Sequence, residues 1–283
     1  MIPAGQGRTV RTAGVMGTVA SIHVIAADGS REHRAVLAAI DACFDELRDV
    51  ERVFSTFRDD SDICRLRDGL IEADEADARV AVVRAACVDA KDSTGGRFDA
   101  WRRGWFDPTG YVKGWATEHA ARSMLAPLLG RAGIDAVGIN VGGDMQLFTA
   151  AESAWLWHVG VADPTRCGEV SATMEVRNGA VATSGTAERG AHIIDPHTNA
   201  PVLGVASATV VADGLELADL WATTAVIAGF DDLSWIASPG VRSGLVVSSD
   251  GRVRRWANGL ELTASDRSTA APDALPFAVR RGA

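Results

Sequence analysis

The sequence predicts an α+β fold in which a mixed β-sheet carries packed helices. Three observations predict it. Apolar residues at three- and four-residue steps dominate the first half, short β-branched runs bounded by Gly, Asp or Asn dominate the second, and no repeat or low-complexity linker separates them. The 283 residues are 47% hydrophobic, which supplies a full core. Residues 1–264 are therefore read as one domain and Ser265 to Ala283 as a loose, disordered tail.

Val19 to Ala26 is a strand by its β-branched content, broken at Gly29-Ser30. From His33 to Phe54, the residues Leu37, Ile40, Phe44, Leu47, Val50 and Phe54 form one apolar stripe, which predicts a long helix with one buried face. A second helix, about Ala76 to Asp92, carries Val80, Val83 and Cys87 and ends at Gly95-Gly96. A third starts near Lys113 and runs through Trp115, His119, Arg122 and Leu125 to about Leu129. Strands follow at Ala136 to Val141, Trp155 to Val161, Ala172 to Val176, Ala180 to Thr183 and Val205 to Ala212. A helix from about Glu216 to Ile227, a shorter one near Leu233, and strands at Leu245 to Ser248 and Val253 to Trp256 complete the fold.

Composition narrows the function. A net charge of -9 repels phosphate backbones, so nucleic acid is not an expected partner. A nucleotide must be held by local backbone donors, individual basic side chains or metal. The cysteines, Cys43, Cys64, Cys87 and Cys167, contain no CxxC pair, and Cys43 and Cys87 lie on apolar helical faces, which implies a reducing compartment and no zinc. The opening residues hold no signal-like apolar stretch, and no segment reaches the ~20 apolar residues needed to cross a bilayer, so the expectation is a cytoplasmic protein without membrane insertion.

Four segments carry candidate chemistry. In GINVGGD (Gly138 to Asp144) a strand runs into two glycines and an acid; such glycines either gather backbone N–H groups on an anion or simply make a tight turn. FDPTGYVKGWA (Phe106 to Ala116) places Asp107 and Gly110 in a turn and Lys113 at a helix opening, where phosphate is favoured; the alternative is a capping Asp107 and a solvated Lys113. In ADLWATTA (Ala218 to Ala225), Asp219 and Thr223 share one helix face, so a carboxylate and a hydroxyl can meet one hard cation, although such pairs are common on ordinary helices. VATSGTAERGAHIIDPHTNAP (Val181 to Pro201) joins a polar Thr183-Ser184-Gly185 corner to His192, which is either a general base or a structural histidine.

Together with MGT (Met16 to Thr18), FSTFRDDSDI (Phe54 to Ile63) and GGRFDA (Gly95 to Ala100), these segments resemble, in order, the FAD:protein FMN transferase (ApbE) family. The resemblance spans about Met16 to Gly229 and implies an ApbE-like, T-fold-like architecture. It implies that Met16, Phe57, Arg97, Phe98, Asp99, Asp107, Lys113 and Ile194 contact FAD, with Thr183, Ser184, Gly142 and Gly143 lining the flavin and pyrophosphate. It also implies that Mg²⁺ is held by the Gly110 carbonyl, Asp219 and Thr223, and that His192 activates the acceptor hydroxyl. The implied reaction moves the FMN half of FAD onto a Ser or Thr hydroxyl of an acceptor flavoprotein and releases AMP. Several positions depart from the family pattern. Phe57 stands where tyrosine is common, Arg67 where many members have asparagine and Glu118 where many have aspartate, and Asn199 replaces the glycine of a DPxTG turn. GGRFDA also runs almost directly into FDPTG where relatives carry a long insert. The same residues would serve a metal-dependent FAD pyrophosphatase, or hold FAD without turnover.

Overall fold

The structure, a computed structural model, describes residues 6–27, 33–131, 133–166, 168–186, 193–263 and 277–278. It opens on an antiparallel pair, β1 (Gln6–Val15) and β2 (Thr18–Ala27), joined by a two-residue turn at Met16-Gly17. Both turn residues have positive φ, 53° and 70°, which matches the twist of a tight hairpin. β1 has no counterpart in the sequence expectation because Gly7, Arg8, Arg11 and Gly14 break its alternation. It is an edge strand, where such interruption is tolerated.

The helices follow. α1 (His33–Phe54) has the predicted boundaries, and Ile40, Phe44, Leu47, Val50 and Phe54 of its stripe are buried. The short α2 (Asp62–Arg67) is capped by Ser61, whose Oγ accepts the Cys64 N–H at 3.1 Å. Asp77 caps α3 (Ala78–Ser93) in the same way. α4 (Thr109–Ala120) begins four residues before Lys113, because Asp107 Oδ1 accepts the Thr109 N–H at 3.1 Å and opens the helix ahead of Gly110 and Gly114. Its path continues through a π turn (Ala121–Leu125) and a 3₁₀ turn (Ala126–Gly130), where Pro127 has no N–H to continue the α ladder.

The strands β3 (Ile134–Val141), β4 (Asp144–Thr149), β5 (Trp157–Ala162), β6 (Val170–Val176), β7 (Gly179–Gly185) and β8 (Val205–Ala212) precede α5 (Leu215–Ala228). A 3₁₀ turn (Ser234–Ala237), β9 (Val241–Ser248), β10 (Val253–Ala257), β11 (Leu260–Glu261) and β12 (Phe277–Ala278) follow it. The nine-stranded sheet has the order β1-β2-β3-β4-β7-β8-β9-β10-β11, and β12-β6-β5 form a separate three-stranded sheet. Every pairing is antiparallel, so the expected single mixed sheet resolves into two sheets within the α+β class. The tail expected to be loose from Ser265 contributes β12, which pairs with the free side of β6; the rest of it lies outside the described residues.

The large sheet lies between two layers. Ile22 and Val24 of β2 and Ile139 of β3 pack with α1, α3 and α4, while Val210 and Ala212 of β8 pack with α5. On the opposite face Ile25, Leu147, Val211 and Leu245 meet Trp157, Val159 and Met174 of the small sheet. All eight β8 residues are therefore buried, as a central strand covered on both faces requires. The register Ala20↔Val141, Val141↔Asp144, Met145↔Val181 and Ser184↔Ala208 sets the β1–β2 turn, the β3–β4 turn and the last residues of β7 at one end of the sheet. The candidate site is built there.

Candidate functional site

Lys113 lies at the centre of the site. From the second turn of α4 its ammonium donates to Asp144, the first residue of β4, and to Asp219 Oδ2 of α5 at 2.7 Å. Asp144 Oδ1 accepts the Thr183 N–H at 3.0 Å. Beside this triad the hydroxyls of Ser184 and Thr223 lie 2.9 Å apart, and those of Thr183 and Thr209 lie 2.8 Å apart. The β4, β7, α4 and α5 motifs thus meet through side chains. Lys113 is not at the helix opening, because α4 starts earlier, and it is half-buried and paired with two acids rather than freely solvated, because α5 packs over it. Asp107 has the capping role.

The two carboxylates are 5% and 7% exposed for Asp144 and Asp219, and one ammonium balances them, which leaves the triad with net negative charge. Burial pushes the Asp144 carboxyl up, the Asp219 charge adds to this, and Lys113 opposes it. Burial works against the Lys113 ammonium but is outweighed by Asp219 and Asp144, so its net shift is upward and it stays charged. The donors around it are carboxylate and hydroxyl oxygens, the set a hard divalent cation prefers, and the pocket already seats a positive charge between two acids. These residues fit Mg²⁺. Among the described residues no group of three or more His, Cys, Asp or Glu is placed to hold a metal ion, so a cation here draws on hydroxyl, carbonyl or phosphate oxygens as well. Gly110 is one helical turn before Gly114 on the same face of α4, and at Gly114 a Cβ would stand 2.9 Å from the Leu215 carbonyl oxygen and 3.0 Å from Asp219 Cβ. The missing side chain lets α5 bring Asp219 to Lys113.

The glycine pair is a tight turn rather than an anion nest. Gly142 donates to the Val19 carbonyl at 3.2 Å and Gly143 to Asn140 Oδ1 at 2.8 Å, so both N–H groups are engaged within the protein. The turn contributes room, and a Cβ at Gly142 would lie 3.0 Å from Thr18 Oγ1, which places MGT against GGD. Met16 donates its N–H to Glu51 Oε2 at 3.0 Å and holds a positive φ that non-glycine residues seldom adopt.

The other expected contacts are distributed around this centre. Phe57 stands 93% exposed between α1 and α2. Arg97 pairs with Asp232 at 2.6 Å and Asp99 with Lys91 at 2.8 Å. Phe98 is buried, its ring packed on Gly110 and Tyr111, so its side chain supports α4 from behind. His192 lies outside the described residues. The chain just after it is anchored: Ile193 is buried, its carbonyl accepts the Val202 N–H at 2.9 Å, and half-buried Ile194 bridges to Pro201. Asn199 turns this hairpin at φ 55°, the positive value expected of the residue replacing glycine. Gly96 lies 3.2 Å, as a Cβ, from His197 Nε2, which joins the hairpin to GGRFDA. The buried thiols of Cys43 and Cys87 are pushed up to about 12 by burial, whereas Cys167 lies outside the described residues.

Sequence reasoning missed Asp144 as a site residue, although it stands in the quoted NVGGD motif. It also missed Tyr111, Gln146 and Glu216, and singled out Glu118 only as a departure from the family pattern; these residues lie around the start of α5. The only sequence signal for Gln146 is a polar residue between Met145 and Leu147 in an otherwise apolar run.

Comparison with known proteins supplies a separate finding. The sequence profile of the ApbE family matches residues 16–105 and 101–243. A curated FAD:protein FMN transferase of Rhodobacter capsulatus is 35% identical over 152 residues, 50% of this chain and 28% of that relative's length. Among solved structures, the ApbE protein of Thermotoga maritima aligns with TM-score 0.71 and 21% identity over 88% of this chain and 97% of its own. The flavin transferase ApbE of Vibrio cholerae aligns with TM-score 0.68 and 18% identity over 93% of this chain and 99% of its own. At these identities the structural likeness is one of fold. No helix among the described residues is long and apolar enough to cross a membrane.

Proposed function

The chain belongs to the ApbE family, and on that premise we propose that it is a Mg²⁺-dependent FAD:protein FMN transferase that attaches FMN to a Ser or Thr hydroxyl of an acceptor flavoprotein and releases AMP. One observation carries the reading: Lys113, Asp144, Asp219, Thr223 and Ser184, supplied by separate segments, meet at one end of the sheet, where two buried carboxylates face half-buried Lys113, Ser184 and Thr223 and leave a negative bias.

In this reading Met16, Phe57 and Lys113 contact FAD at this end of the sheet, with Thr183, Ser184, Gly142 and Gly143 lining the flavin and pyrophosphate. Arg97, Asp99, Asp107 and Ile194 border the nucleotide. Asp219, Thr223 and the Gly110 carbonyl would hold Mg²⁺, which when bound would supply charge compensation for the pyrophosphate. Lys113 brings a second positive charge to the same oxygens, and its partners Asp144 and Asp219 keep it protonated and aimed. Ser184 and Thr183 shape the wall beside Thr223. His192 takes the proton from the attacking hydroxyl as that oxygen bonds to the phosphorus on the riboflavin side; the bond from this phosphorus to the bridging oxygen breaks and AMP leaves. Most of the rate comes from alignment and charge compensation.

The tight connection in which the Asp107 N–H donates to the Ala100 carbonyl at 2.8 Å favours a second reading. With so short a loop where relatives carry an insert, water can replace the acceptor hydroxyl and the products are FMN and AMP. The test is co-incubation of the protein, FAD and Mg²⁺ with a candidate flavoprotein acceptor, followed by mass spectrometry of the acceptor. Transfer predicts covalent FMN on one Ser or Thr; AMP and free FMN with an unlabelled acceptor support the hydrolytic reading; no consumption of FAD rejects both.

A further inference from the structure

α5 supplies no side-chain cap to its own N-terminus, since Gly214 stands at the N-cap position. Two of its free donors are instead met from other elements. The Leu215 N–H donates to Gln146 Oε1 of β4 at 2.9 Å, and the Glu216 N–H donates to Glu118 Oε2 of α4 at 3.0 Å. Gln146 is fully buried and its amide donates to the Gly179 carbonyl of β7 at 3.1 Å, while Glu118 Oε1 accepts from Arg122 Nε at 2.7 Å. Tyr111 donates to Glu216 Oε1. Gly214 makes room for this arrangement, for a Cβ there would fall 2.3 to 2.6 Å from the Glu118 carboxylate.

The elements tied together by these bonds are those that carry the site. Gln146 is two residues along β4 from Asp144, Glu118 is five residues along α4 from Lys113, and Leu215 is one helical turn before Asp219. Gly114 permits the close α4–α5 approach, so the register of α5 rests on polar contacts: Tyr111 on Glu216, Lys113 on Asp219 and the two capping bonds that tie its first turn to β4 and α4. We propose that Gln146 and Glu118 are positioning residues: by capping α5 from β4 and α4 they fix the axial register of α5 and so hold Asp219 and Thr223 at the distance from Lys113 and Asp144 that the cation and pyrophosphate require. The functional part of this assignment rests on the transferase reading above; the geometric part does not.

The experiment uses full-length Gln146→Leu, Glu118→Leu and Glu118→Gln. The Gln variant is the conservative control, because its amide oxygen still accepts the Glu216 N–H. Half-saturating Mg²⁺ for FMN transfer should rise about 10–100-fold in the two Leu variants, the usual effect of removing partners that orient metal ligands. FAD affinity measured without metal should stay within about two-fold of the parent, since no FAD contact is lost. Glu118→Gln should lie near the parent. A crystal structure of Gln146→Leu should show Lys113 Nζ and Asp219 Oδ2 separated beyond the 2.7 Å of the parent. Parental Mg²⁺ dependence in both folded Leu variants, or an unchanged Lys113–Asp219 separation, overturns the proposal. If the parent itself transfers no FMN, the transferase reading has failed and the crystallographic distance alone decides on the clamp. Should Gln146→Leu not fold, half-buried Glu118→Leu carries both measurements.

Discussion

Gly114→Ala is the sharpest perturbation of the α4–α5 crossing, because the cost can be worked from distances. The added methyl would stand 2.9 Å from the Leu215 carbonyl oxygen, 3.0 Å from Asp219 Cβ and 3.2 Å from Asp219 Oδ2. Carbon contacts relax to roughly 3.5 Å or more, so α5 must retreat by roughly 0.5 Å; Leu215 O is backbone, and the helix moves as a body. Two effects compete. Alanine in a helix interior gains about 1 kcal/mol over glycine, and overpacking of this kind costs about 1–3 kcal/mol. Overpacking wins by about 1 kcal/mol, which for a chain of this size lowers the melting temperature by about 2 °C. The same retreat stretches the 2.7 Å Lys113–Asp219 contact, so affinity for Mn²⁺, a spectroscopic substitute for Mg²⁺, should fall as well. Gly14→Ala is the control: its Cβ meets nothing within 4 Å, and it should leave both measurements at or slightly above parental values. A Gly114→Ala protein that melts at or above the parent and titrates Mn²⁺ identically would refute the argument that close helix approach builds the site.

Other perturbations follow from individual residues. Asp219→Ala should abolish metal-dependent turnover while the fold survives, and Thr223→Ala should be milder because only a neutral ligand is lost; equal activity of Asp219→Ala and parent at limiting Mg²⁺ would return the pair to an ordinary helix face. His192→Ala should slow transfer ~10²–10⁴-fold with little change in FAD affinity, and the parental pH profile should rise through ~6.5, since only neutral imidazole accepts a proton; transfer at the parental rate would make it a structural histidine. Asp77 caps α3, and its carboxyl is held down at about 2, mainly by hydrogen bonding from Arg79, against the opposing effect of burial. A depressed carboxyl stabilises above its unfolded value and loses that contribution as pH falls toward the folded one. Asp77→Ala should therefore cost ~1 kcal/mol at neutral pH in thermal melts, with the deficit shrinking between about pH 4 and pH 2; a deficit independent of pH would leave only the neutral capping contribution.

Much of this protein is determined locally and can be read without a structure. α1 lies on the boundaries its apolar stripe predicts, β8 is a run of apolar and small polar residues because it is covered on both faces, and the Asp219/Thr223 spacing places both on one turn of α5 whatever surrounds it. The family motifs are equally local strings. The tertiary structure decided what those strings do to one another. β4 defeats hydrophobic periodicity because its polar residues, Asp144 and Gln146, are buried for a site and a cap supplied by α4 and α5, contacts 31 and 69 residues away along the chain. Lys113 reads as a phosphate-seeking residue at a helix opening until Asp107 starts that helix a turn earlier and Gly114 admits α5 over it. The glycine pair reads sooner as a turn than as a nest, and Val19 and Asn140, by taking both of its donors, make it the turn. In each case the residue's own chemistry is visible in the sequence, but whether its charge or hydrogen bond faces water, ligand or another side chain depends on long-range packing that no local period encodes.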